Sequence, residues 1–188
     1  MGGKNNEFLV TFPCYTLSRI SIAYLNFTTS IMKIHFWSIG KAHDNYVNIG
    51  IDVFTKRISN YYPIEWKIIA SPKNAKALSI EDAKKAEAAL IINLLKPTDC
   101  LILLDENGIS ISSEQLSELI ITKAEQATKD LVFLIGGAYG VNDIVYKRAN
   151  FCWSLSQLVF PHQLVRLILA EQVYRACTIA RNEKYHHS

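Results

Sequence analysis

Functional side-chain types crowd the stretch after Pro161: His162, Arg166, Glu171, Arg175, Arg181, Lys184, Tyr185, His186 and His187. His162 reads as a helix-start residue, and the arginines fit a solvated face as well as a functional one. The terminal histidines lack a carboxylate or thiol at ligand spacing, so no metal site is expected. A second concentration lies at Gly136-Gly137-Ala138-Tyr139-Gly140. Phosphate binding is the first chemistry to test there, and it fails: Ala138 occupies the second glycine position of G-x-G-x-x-G, and no P-loop lysine follows. Positive φ and close backbone approach remain, so the loop either seats a ligand or makes a tight turn. Asp105 and Glu106 adjoin, but neighbours on an extended chain point to opposite faces and make a poor acid–base pair. Asp105 is expected to orient its own loop. No G-x-S-x-G occurs, so a nucleophile-elbow hydrolase is not supported.

An alternation of strand and helix from Met32 onward must position these residues. The expected strands are 33–39, 64–70, 100–104, 131–135 and 151–155, of which 100–104 is continuously apolar, as a parallel strand covered on both faces should be. Between them, Ile51, Phe54, Ile58 and Tyr61 recur at helical spacing, Ser79 opens a helix that halts at Lys96-Pro97, and Ser112 with Gln115 opens another to 127. A short helix is expected at 143–149 and a final one at 162–181, with Leu164, Leu167, Ile168, Val173 and Ala176 as its apolar face. The expected class is α/β, layered, with a largely parallel sheet. Ligands of such sheets bind beyond the carboxyl ends of the strands, which selects 104–108, 136–140 and 155–161.

At 188 residues, 49% hydrophobic and 20% charged, the chain supports a packed core and excludes global disorder. A net charge of +3 permits an RNA partner without requiring one. Cys14, Cys100, Cys152 and Cys177 show no C-x-x-C or zinc spacing, so reduced thiols in a cytoplasmic protein are expected. No apolar run approaches the roughly 18 residues of a membrane span. Residues 1–31 hold one acid, Glu7, against Lys4 and Arg19, with many Ser, Thr and aromatics. They match neither a transit peptide nor a secretory signal. The expected organisation is an N-terminal extension over 1–31, with Met32 as the natural start, and one domain over 32–188.

Several phrases together are recognisable: Leu103-Leu104-Asp105-Glu106-x-Gly108, then Phe133-Leu134-Ile135-Gly136-Gly137-x-x-Gly140. The longest runs Ser154-Leu155-Ser156, Pro161-His162-Gln163-Leu164-Val165-Arg166, Leu169-Ala170-Glu171-Gln172 and Tyr174-Arg175-Ala176, closing on Tyr185-His186-His187. From Met32 onward this resembles the RlmH family, the SPOUT-class pseudouridine N3-methyltransferases of large-subunit ribosomal RNA. Ala138 stands where that family often has proline, and Val159 where threonine is frequent.

The resemblance implies a SPOUT-like parallel-sheet domain with a C-terminal deep trefoil knot, acting as a homodimer. It implies S-adenosylmethionine as cofactor, held by Leu104, Gly136, Leu155, Ser156, Gln157, Leu158, Val159 and Phe160. It further implies catalytic roles for Arg175 on a phosphate or carbonyl oxygen, Tyr185 in base positioning and His186 in proton handling. His162 and Arg166 would support the cofactor loop or the dimer interface. The implied partner is large-subunit rRNA in the assembled ribosome. Two readings stand beside it: the same fold acting on tRNA, and a noncatalytic ribosome-associated protein.

Overall fold

The structure, a computed structural model, describes residues 32–42, 44–72 and 78–184. Five strands form one sheet in the order β2-β1-β4-β3-β5: β1 is Lys33–Ile39, β2 Ile64–Ile69, β3 Cys100–Ser110, β4 Asp130–Ile135 and β5 Phe151–Ser154. Every pairing is parallel. The helices between them are α1 (Asn45–Ile58), α2 (Ile80–Leu94), α3 (Ser113–Glu125), α4 (Asp143–Arg148) and α5 (His162–Ala180). Among the described residues no helix is long and apolar enough to cross a membrane.

Alternation along the strands divides the core in two. Ile34, Phe36, Ile102 and Phe133 point to one face, where Ile58 of α1, Leu116 of α3 and Leu169 of α5 cover them. Trp37, Leu101, Leu103 and Leu134 point to the other, under Ile91 of α2 and Val145 of α4. Both faces are therefore dry, which is why β3 and β4 read as continuous apolar runs.

The helix starts follow the expected chemistry. Ser79 Oγ accepts the Asp82 N–H at 3.1 Å, and Ser112 with Gln115 forms a reciprocal capping box. Several ends fall a residue short of expectation, and three departures bear on the site and core. The α3 helix stops at Glu125 because Ala127 has turned left-handed, with φ 54°. The strand β3 does not end at Leu104 but bulges over 105–108 and pairs with β5 again through Ile109 and Ser110. In α5 the core stripe is Arg166, Leu169, Ala170, Val173, Ala176 and Cys177, whereas Leu164 is exposed and Leu167 and Ile168 are half-buried. An arginine at a core position rotated the expected face.

Candidate active site

The carboxyl ends of β3, β4 and β5 open into one cavity of about 560 Å³, inside the range of small-ligand sites. Leu104 enters from β3 and Gly136 from the turn after β4. Leu155, Ser156, Leu158, Val159 and Phe160 line it from the loop after β5. Gln157 lies in the same loop but is not among the lining residues.

Each wall has a local cause. Gly136 sits so close to the next turn that a Cβ there would lie 2.7 Å from Val141 Cγ1. The Gly140 N–H donates to the Gly137 carbonyl at 3.0 Å, and Gly140 takes φ +76°. The glycine cluster thus makes a tight turn and also forms a cavity wall, so the two sequence alternatives coincide. After β5, the buried Ser154 hydroxyl donates to the Ser156 carbonyl at 3.0 Å, and Ser156 Oγ accepts the Leu158 N–H at 3.0 Å. These bonds set the loop's curvature and leave Leu158 and Val159 exposed at the rim.

Asp105 orients its own loop as expected: its Oδ1 accepts the Asn107 N–H at 2.9 Å and the Asn107 amide Nδ2 at 3.1 Å. Its Oδ2 accepts from the Tyr146 hydroxyl of α4. Contrary to the sequence argument, Asp105 and Glu106 both line the cavity, because the bulge in β3 breaks the strand's alternation. Lys84, Asp143 and Tyr146 complete that side. None of these three carried a sequence signal beyond helical spacing, since only tertiary packing brings α2 and α4 to the cavity.

The first residue of α5, His162, also lines the cavity, with Nδ1 buried and, among the described residues, without a hydrogen-bond partner. Burial, then the charge of Arg166, holds its imidazole below the usual range and hence neutral near pH 7. Arg166 is only 2% exposed, not solvated. Its Nε donates to Ser38 Oγ and its Nη1 to the Lys41 carbonyl, both at 2.9 Å. These bonds fasten α5 to the end of β1 and to the loop after it. Gln163 joins the same loop by accepting the Asp44 N–H at 3.3 Å.

Arg175 does not reach this cavity. It lies 13 residues after His162 on α5, about 20 Å along the helix axis, and its Nε and Nη2 donate to Glu171 Oε1 at 3.1 and 2.9 Å. Tyr185 and His186 lie outside the described residues.

A family described as predicted SPOUT methyltransferase matches residues 32–186, a span that takes in all three cavity loops. The chain belongs to the SPOUT methyltransferase family. Relatives of this SPOUT protein include one from Cytophaga hutchinsonii, 48% identical over 83% of this chain and 100% of its own length. Another, from Flavobacterium psychrophilum, is 47% identical over 83% of this chain and 99% of its own length. Both are named ribosomal RNA large subunit methyltransferase H. The fold agrees with the family: a SPOUT α/β domain with its cavity at the strand ends.

Proposed function

We propose that this SPOUT methyltransferase moves a methyl group from S-adenosylmethionine to N3 of a pseudouridine in large-subunit ribosomal RNA. It acts on the assembled ribosome, in the cytoplasm, as a homodimer. Residues 32–188 carry the activity, residues 1–31 are an extension, and the C-terminal half forms a deep trefoil knot. The observation that carries the reading is the cavity at three strand ends, walled by a glycine turn and loop residues, in a chain 48% identical over 83% of its length to a protein named ribosomal RNA large subunit methyltransferase H.

The cavity fits the cofactor. Its volume suits an adenosyl-sized ligand, Gly136 packs its turn tightly against Val141 in the cavity wall, and Asp105, Glu106 and Asp143 outnumber Lys84 along the wall. That excess of carboxylate favours a cationic guest over a neutral one. When bound, S-adenosylmethionine supplies an electrophilic methyl on a sulfonium leaving group.

The chain's own part is positioning and proton handling. Leu104, Gly136 and the loop residues Leu155, Ser156, Gln157, Leu158, Val159 and Phe160 hold the cofactor through apolar walls and backbone groups. The imide proton at N3 must leave, and His186 accepts it. Arg175 steadies a carbonyl oxygen or a phosphate, and Tyr185 positions the base. Because Arg175 stands about 20 Å along α5 from the end that lines the cavity, it serves the cavity of a second copy of the chain. This is the reason to expect a dimer.

The test is methyl transfer from labelled S-adenosylmethionine to ribosomes, protein-free large-subunit RNA and tRNA side by side, with Arg175→Ala as control. Label in ribosomes alone, mapped to N3 of a pseudouridine and lost in the control, is the expected result. Label in tRNA overturns the acceptor, and cofactor binding without label anywhere overturns the activity. Sedimentation reads the dimer, a crystal structure traced through residues 136–180 reads the knot, and a chain started at Met32 reads the role of residues 1–31.

A further inference from the structure

Far from the cofactor cavity, the last turns of α1 and α5 carry an arrangement that the methyl-transfer reading leaves unused. Phe54 and Tyr174 lie with ring centroids 6.0 Å apart, and Tyr174 meets Tyr61 edge-on at 6.3 Å. Guanidiniums bracket this row of rings. Arg57 stands 5.8 Å from the Phe54 centroid and 5.4 Å from that of Tyr174, and Arg181 stands 4.9 Å from that of Tyr61. Both arginines are exposed, and among the described residues neither makes an ion pair or a side-chain hydrogen bond. Beside the row opens a second cavity of about 310 Å³, lined by Tyr61, Tyr62, Ile121, Cys177, Ala180 and Arg181. It sits at the lower end of ligand-site sizes.

Packing alone does not call for this chemistry. Aliphatic side chains would close the α1–α5 seam equally well. Here Arg57 and Arg181 each hold a guanidinium over an aromatic ring while remaining exposed to solvent. Glu183, the nearby acid in sequence, is engaged by the Tyr61 hydroxyl, while Lys184 follows it. Planar cations interleaved with aromatic rings next to a small concavity are what single-stranded or looped RNA is bound by: bases stack on rings and guanidinium planes, and phosphates take the N–H edges.

We propose that the Arg57–Tyr174–Tyr61–Arg181 row and its cavity form an RNA-docking subsite, separate from the cofactor cavity, that takes an unpaired nucleotide of the ribosomal RNA and its phosphate. The proposal rests on the rRNA-methyltransferase reading and adds to it the surface that holds the substrate. It also fits the position of Arg175, on the same helix and closer to this end than to the cofactor cavity of its own chain.

The experiment measures equilibrium binding of the full chain to ribosomes and to protein-free large-subunit RNA over a salt series, for Arg57→Ala, Arg181→Ala and Arg181→Lys. Each alanine variant should weaken binding about tenfold and lower the slope of log affinity against log salt by about one. Arg181→Lys should restore the slope but not the affinity, because lysine keeps the charge and loses the plane. Affinity for S-adenosylmethionine and the thermal midpoint should stay at wild-type values. Unchanged RNA binding in both alanine variants overturns the subsite, as does weakened RNA binding matched by equal loss of cofactor affinity. Wild-type RNA binding without methyl transfer overturns the methyl-transfer reading and leaves the subsite standing, whereas absence of RNA binding overturns both.

Discussion

The Tyr146 hydroxyl donates to the Asp105 carboxylate across the mouth of the larger cavity, tying α4 to the bulge in β3. Burial, reinforced by Asp105, raises the phenol's pKa, so it remains a donor through the neutral range. Tyr146→Phe should cost about 1 kcal/mol of stability, below the range for hydrogen bonds to charged groups because the pair is partly exposed. It should also weaken S-adenosylmethionine binding severalfold, since two cavity walls lose their tie. Urea unfolding and calorimetric titration read the two effects; unchanged cofactor affinity would show that the tie does not shape the cavity.

The glycines separate steric from conformational demands. At Gly108 a Cβ would lie 2.8 Å from backbone atoms of Cys152 and Trp153, which cannot move aside as a side chain could. Gly108→Ala should therefore cost about 2–3 kcal/mol by forcing β3 off β5. Gly140 has open space around its missing side chain but φ +76°, so Gly140→Ala should cost only about 1 kcal/mol, through backbone strain. A Gly140→Ala variant as unstable as Gly108→Ala would contradict this division.

Most of the fold was legible from period and punctuation, because dry strands and capped helices are local signals: Ser112 with Gln115 opens α3 as read. Selecting strand ends also located the cavity, since Leu104, Gly136 and Leu155 stand at or just beyond the ends of the apolar runs in β3, β4 and β5. What sequence could not show is how tertiary contact redirects side chains. The bulge over 105–108 turns both Asp105 and Glu106 to the cavity, and its cause is the close pass of Gly108 over β5, a contact between segments 44 residues apart. Arg166 was unreadable as core for a related reason: its partners are Ser38 and a carbonyl at Lys41, more than 120 positions away.

Arg166 gives the sharpest stability prediction. Its guanidinium is buried, and burial pulls its pKa down, yet it satisfies the Ser38 hydroxyl and the Lys41 carbonyl. Arg166→Met keeps the volume and removes both donors, and should cost about 3 kcal/mol. Arg166→Lys should recover only part of this, having no planar fork to span two acceptors. The loop after β1 should then gain hydrogen exchange ahead of the sheet. Equal stability of wild type and Arg166→Met would mean that the arginine is not the link between α5 and that loop.

At the opposite end of the sheet, His35 bridges two carboxylates, with Nδ1 3.1 Å from Glu65 and Nε2 2.7 Å from Asp130. The Lys33 hydrogen bond, outweighing burial, holds Glu65 below the usual carboxylate range. Burial pushes Asp130 up, but His35 and Lys96 together overcome it and leave that carboxyl low as well. A carboxyl lowered on folding adds stability that is present above its unfolded value, about 4.3 for Glu and 3.9 for Asp, and lost as pH falls through the folded value. The urea midpoint should therefore fall steadily from pH 5 to pH 3 in the wild type. In a Glu65→Gln/Asp130→Asn variant the midpoint should be lower at pH 6 and its acid slope shallower, because two groups that bind protons only on unfolding are gone. An acid slope equal to wild type in that variant would assign the loss to other carboxyls and leave the His35 bridge without a role in acid stability.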